Sequence, residues 1–103
     1  MEWTLETTQD DGVLHVVPRG ELDLLTAPLL ARALHEAERH EDRIRLDLRG
    51  LSFMDSSGLA VVLEAVSRSR ERPTERLDIL VDGGVVVRVL ELAHLMDDLP
   101  LVR

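Results

Sequence analysis

The chain contains no cysteine. Disulfide frameworks, thiolate chemistry and cysteine-based zinc sites are therefore excluded. Tyrosine is also missing, and aromatic residues make up only 2% of the 103 positions, namely Trp3 and Phe53. Platforms on which bases could stack are absent, and the core must be aliphatic. Lysine and asparagine do not occur, and all 12 basic residues are arginine. Any mechanism that needs a lysine is closed. No apolar run reaches the roughly 18 residues that a membrane span needs, so no membrane association is expected. Met1-Glu2-Trp3-Thr4 does not open a signal peptide, which needs a basic segment followed by an apolar one. The cytoplasm is the expected compartment.

The length predicts one domain over residues 1–103. Hydrophobic residues make up 45% of the chain, enough for a real but small core. The formal charge is −8, which argues against a phosphate-backbone binder, so no nucleic acid is expected as a partner. An acidic surface favours basic partners.

Trp3-Thr4-Leu5-Glu6-Thr7 alternates and reads as an edge strand. Asp10-Asp11-Gly12 is a turn signal, and Val13 to Val17 is a more continuously apolar strand with Pro18 near its end. The two strands form a predicted hairpin. A helix is expected from near Thr26, its candidate N-cap, with Leu30, Ala33, Leu34 and Ala37 on its inner face. Arg43 to Arg49 alternates strictly and reads as a strand with one wet face. Leu59, Val62, Leu63 and Val66 mark a second helix, which ends in Arg68, Arg70 and Arg72 before Pro73. Leu77 to Val81 reads as a strand. Val86, Val89, Leu90 and Ala93 mark a helix over Val85 to His94, and Leu99 to Arg103 reads as a short last strand. The order β-β-α-β-α-β-α-β predicts an α/β domain with a mixed, mostly parallel sheet and helices packed on it.

In such a sheet the loops leaving the strand C-termini gather on one edge, where ligands bind. That edge is expected to carry Glu21, Asp23, Asp55, Ser56 and Asp82, an acidic rim around one serine. Ser56 or Ser57 is expected to cap the second helix. A serine N-cap contributes roughly 1 kcal/mol and needs no further role. Two features point beyond capping. Asp55 is itself a good cap, so the serine pair behind it is redundant. Gly58 has no side chain and would let another molecule approach the helix start. A phosphate on Ser56 would add about −1.5 to −2 charges. The helix N-terminus would partly favour it, while Asp55 and Asp23 would repel it. No arginine is expected in the neighbouring rim loops to hold it. The added charge should therefore eject a partner, and the unmodified form would be the binder.

Gly20-Glu21-Leu22-Asp23, together with Leu51-Ser52-Phe53-Met54-Asp55-Ser56-Ser57-Gly58-Leu59, closely resembles the STAS-domain anti-sigma factor antagonists, and the resemblance extends over nearly the whole chain. It implies a partner-switching regulator. The unphosphorylated antagonist would bind an anti-sigma factor that is also a serine kinase of the histidine-kinase-like ATPase fold, freeing a sigma factor. The kinase would then phosphorylate the antagonist and release it, and a PP2C-type phosphatase would reset it. The phosphorylated residue of the family, directly after the Asp, maps to Ser56, with Ser57 the adjacent runner-up. The implied partner-binding set is Gly20, Glu21, Asp23, Asp55, Ser57, Gly58 and Leu59. Family members usually carry a further helix after the last strand, and this sequence is expected to lack it. The Asp82-Gly83-Gly84 loop lacks the Ser/Pro-type helix start of the family. The alternative within the resemblance is a non-switching STAS protein, either a scaffold of a stress-signalling assembly or a small partner of a lipid-transport ABC system.

Enzymatic readings are weaker. His35 and His40 diverge around a helix and do not form a metal-binding pair with Glu36. Met54-Asp55-Ser56-Ser57-Gly58 lacks the leading glycine of a nucleophile elbow. An aspartyl-phosphate receiver would need a lysine. Asp82-Gly83-Gly84 has no phosphate-cradling signature and reads as a turn. No catalytic residue, cofactor or metal is expected. Arg68, Arg70, Arg72 and Arg76 could mark a second contact surface, although a solvated helix end and loop is the simpler reading.

Overall fold

Asp11 and Gly12 both take positive φ, 51° and 78°, the paired conformation of a two-residue hairpin turn. They join β1 (Trp3–Asp10) to β2 (Val13–Leu22) as an antiparallel pair, in register from Trp3 opposite Gly20 to Asp10 opposite Val13. The computed structural model describes residues 3–40, 43–72 and 76–102. The expectations placed on Met1, Glu2, Pro73 and Arg103 lie outside the described residues.

β2 runs on past Val17 through the buried Pro18 to Leu22. A proline inside a central strand is unusual, because it cannot donate to the ladder. Here the parallel strand β3 (Arg43–Asp47) pairs with β2 across Leu14 to Val16, and β4 (Leu51–Met54) pairs with it across Gly20 to Leu22. Pro18 falls in the gap between the two partners, where no ladder bond on that flank is lost. β5 (Arg76–Leu80) lies parallel to β3, and β6 (Leu101–Val102) parallel to β5. The sheet order is β1-β2-β3-β5-β6, with β4 on the same flank of β2 as β3. This is the expected small α/β domain with a mixed, mostly parallel sheet, with one strand added to the order.

The added strand is β4. Arg43 to Arg49 is not one strand followed by a loop. The chain bends at Leu48-Arg49-Gly50, where the Leu51 amide donates to the Leu48 carbonyl at 3.2 Å, and then re-enters the sheet. β4 shows no alternation because the register slips at Ser52, with Gly20 opposite Leu51 but Glu21 opposite Phe53. A bulge of this kind erases the period-two signal.

α1 (Ala27–His40) and α2 (Ser56–Arg70) bury Leu30, Leu34 and Ala37, and Val62, Ala65 and Val66, against the sheet. α3 (Val85–Leu92) adds Val86, Val87 and Leu90 to the same core. Leu59 and Leu63, expected on the inner face of α2, are half-buried. The helix-facing sheet residues include Val16, Leu22, Ile44, Leu46, Leu77 and Ile79, all buried. Among the described residues no helix is long and apolar enough to cross a membrane.

The arginines at the end of α2 are staples between elements. Arg68 makes a two-pronged ion pair with the buried Glu38 of α1, Nε to Oε1 at 2.7 Å and Nη2 to Oε2 at 2.9 Å. Arg72 donates to the Glu38 carbonyl at 2.9 Å, and Arg70 donates to the Asp98 carbonyl. Arg68 is half-buried, whereas Arg70 and Arg72 remain exposed, so this helix end is both stapled and solvated.

Candidate functional site

β2 and β4 end side by side, with Leu22 opposite Met54. The Asp55 amide donates to the Leu22 carbonyl at 3.2 Å, one step beyond that pair. The next residue on each strand is an acid, Asp23 on one and Asp55 on the other. Parallel pairing therefore converts a separation of some thirty positions in sequence into adjacency.

Asp55 takes an extended conformation, φ −108° and ψ −171°, and caps α2. Its Oδ1 accepts from the Ser57 amide at 2.9 Å and the Gly58 amide at 3.1 Å. These are two of the amide donors that a helix start leaves unpaired. The expectation that Ser56 or Ser57 caps the helix is thus corrected. Asp55 fills that role, and Ser56 is the first helical residue, exposed to solvent, with Ser57 half-buried behind it.

Asp23 organises the facing loop. Its Oδ1 accepts from the Leu25 amide at 3.0 Å and the Thr26 amide at 3.1 Å. The buried Thr26 hydroxyl accepts from the Asp23 amide at 2.9 Å and lies 2.7 Å from the Glu21 carbonyl, to which it donates. Thr26 precedes α1 as expected of an N-cap, and its carbonyl accepts from Leu30, but its hydroxyl faces back into the loop. The hydrogen bond from the Thr26 amide holds the Asp23 carboxyl below its ordinary value of 3.8, against the opposing effect of burial and with help from the Leu25 amide and the Thr26 hydroxyl. Asp23 is therefore a fixed negative charge beside the start of α2.

Three expected site residues have structural duties. Gly58 is buried. A β-carbon there would lie 2.5 Å from Leu22 Cγ and 2.7 Å from its Cδ2. The missing side chain seats the start of α2 on the end of β2, which corrects the expectation that it admits another molecule. Gly20 lies within β2, opposite Trp3 and Leu51, rather than at the rim. Leu59 is half-buried and packs against the core. Glu21 is half-buried opposite Phe53, one pair before the rim.

Asp82 does not join the pair. It follows β5, which borders β3 and β6 rather than β2 or β4. Its Oδ1 accepts from the Gly84 amide at 2.9 Å, and its charge acts on Arg49 in the β3–β4 bend. Gly84 caps α3 without a side-chain hydrogen bond, in line with the missing Ser/Pro start. Arg49 is held by Asp47, Nε to Oδ1 and Nη2 to Oδ2 at 3.0 Å each. Burial pushes the Asp47 carboxyl up, but the Arg49 side chain and amide, with the charges of Arg49 and Arg19, outweigh it and leave it lowered.

Two residues beside this site escaped the sequence reading. Leu24 is 73% and Leu25 81% exposed. Both follow Asp23 directly and precede the helical stripe of Leu30, Ala33, Leu34 and Ala37. A leucine pair lying outside any stripe was the available signal.

The STAS domain family matches residues 4–101 of the chain. The chain is 35% identical over 93 residues to an anti-sigma-B factor antagonist of Listeria monocytogenes, covering 86% of this chain and 78% of that protein. It is 32% identical over 98 residues to an anti-sigma-B factor antagonist of Staphylococcus aureus, covering 94% and 90%. The crystal structure of an anti-sigma factor antagonist from Mycobacterium paratuberculosis superimposes with a TM-score of 0.86 at 25% identity, covering 97% of this chain and 85% of that one. With its sheet, its Asp-Ser-Ser-Gly helix start and these relatives in agreement, the chain belongs to the STAS-domain anti-sigma factor antagonist family.

Proposed function

We propose that the unphosphorylated protein binds an anti-sigma factor that is also a serine kinase of the histidine-kinase-like ATPase fold, and that phosphorylation of Ser56 ends the complex. A PP2C-type phosphatase resets the switch, and the exchange takes place in the cytoplasm. The protein acts as a regulator and substrate, not as an enzyme. One observation carries this reading. Asp55 caps α2, so the Ser56 hydroxyl is released from that duty and exposed at the helix start, beside the fixed charge of Asp23. A kinase can reach such a hydroxyl. The phosphate it leaves is tolerated by the helix terminus but sits among carboxylates, with the Arg49 guanidinium engaged by Asp47. Placed inside the contact and next to Asp55, the phosphate disrupts it through its desolvation cost and through repulsion by the neighbouring carboxylates. Asp23, Asp55, Ser57 and Glu21 are the proposed contact residues around it.

The test is incubation with candidate cognate kinases and ATP, followed by phosphosite mapping and binding measurements. The label should map to Ser56. Ser56→Ala should abolish the label and keep binding, and Ser56→Asp should weaken binding about tenfold. A label on another residue, or wild-type affinity in Ser56→Asp, removes the mechanism.

A further inference from the structure

Leu24 and Leu25 stand out from the fold at 73% and 81% exposure, yet their loop is not free to turn them inward. The Leu25 amide is held by Asp23 Oδ1 at 3.0 Å, the Thr26 amide by the same oxygen at 3.1 Å, and the buried Thr26 hydroxyl ties Asp23 to Glu21. The backbone latch closes with both side chains outside. An apolar patch rimmed by polar groups and presented on a fixed backbone marks an interaction site.

We propose that Leu24 and Leu25 are the apolar anchor of the Ser56 docking face, and that their occupant is an apolar pocket with a basic border on the anti-sigma factor kinase. This rests on the reading of Ser56 given above. The charge around the leucines selects the occupant: Glu21, Asp23 and Asp55 flank them, on a chain of formal charge −8. A second copy of so acidic a surface would be repelled, whereas a pocket bordered by arginine or lysine would be drawn in. The division of labour then follows. The carboxylates steer the encounter and sense the phosphate, while the leucines supply short-range affinity that salt does not screen.

The experiment uses the full chain and the kinase that labels Ser56 in the assay above. Leu24→Ser/Leu25→Ser should weaken binding by about tenfold or more, since burying one leucine alone is worth that factor. The ratio to wild type should hold from low to high salt. Leu24→Met/Leu25→Met should restore most of the affinity, because methionine keeps the apolar volume. Both pairs are exposed, so thermal melting should match wild type. Wild-type affinity in the serine pair overturns the proposal, as does a methionine pair as weak as the serine pair. A change in oligomeric state with unchanged kinase affinity assigns the leucines to a second copy and also overturns it. If no kinase labels Ser56, the switch reading fails first and the anchor falls with it. Loss of the anchor alone leaves the labelling of Ser56 standing.

Discussion

Gly58 meets Leu22 so closely that a β-carbon on the glycine would sit 2.5 Å from Leu22 Cγ and 3.1 Å from the Leu22 carbonyl oxygen. Leu22 is fully buried, so it has nowhere to move. This contact seats the start of α2 on the end of β2 and so fixes Ser56 beside Asp23. Gly58→Ala should cost about 1–3 kcal/mol through overpacking. It should lower the melting temperature by several degrees, about 4–8 °C per kcal/mol for a domain near this size. Calorimetry on the two proteins decides it, and an alanine variant that melts with wild type would show that the contact is slack.

Glu38 and Arg68 tie α1 to α2. The glutamate side chain is 5% exposed and the arginine 28%. Glu38→Ala strands Arg68 partly buried without its partner and should cost about 2–3 kcal/mol, below the range for a fully buried pair because Arg68 keeps some water. The double change Glu38→Leu/Arg68→Met should lie within about 1 kcal/mol of wild type, because desolvation offsets most of the attraction in such pairs. A double-mutant cycle in urea measures both, and additive single losses would show the pair to be uncoupled.

Most of the sheet was legible because Ile44, Leu46 and Leu48 alternate cleanly and Leu30, Leu34 and Ala37 repeat at helical spacing. β4 was not legible, since its register slip at Ser52 leaves no alternation to read. Asp82 was misplaced for another reason: strand order is not written in the sequence, and β5 pairs with β3 and β6 rather than with β2 or β4. Convergence of Asp23 and Asp55 was legible because each stands just before a helix-period run, on the edge where the loops of a parallel sheet gather. Which residue caps α2 was not, since aspartate and serine both suit the position and only backbone geometry chooses. The exposure of Leu24 and Leu25 was hidden for a different reason. Hydropathy marks a leucine as apolar but does not say that an Asp23–Thr26 latch will hold it outside.

The Asp23 carboxyl should titrate below 3.8, since its hydrogen bonds to the Thr26 and Leu25 amides favour the ionised form. In the unfolded chain it titrates near the ordinary value. Its contribution to stability is therefore complete above 3.8 and is lost as the pH falls from there through the lower folded value. Carboxyl resonances followed by NMR give the titration directly. Urea stabilities of wild type and Asp23→Asn, compared across pH, should differ by a constant amount near neutrality and converge in acid. A carboxyl titrating above 3.8 would contradict the latch.

Asp55 and Ser56 should separate cleanly in stability measurements. Asp55→Ala removes the acceptor for the Ser57 and Gly58 amides and should cost about 1 kcal/mol. Asp55→Asn keeps an acceptor oxygen in place and should cost only a few tenths of a kcal/mol. Ser56→Ala puts a strong helix former at an exposed first-turn position and should stay within about 0.5 kcal/mol of wild type. The contrast bears on function. If Ser56→Ala folds as well as wild type, its failure to accept a phosphate reports the loss of one hydroxyl and nothing else. If instead Ser56→Ala costs as much as Asp55→Ala, the serine is part of the cap, and its exposure at the helix start no longer sets it apart as a modification site.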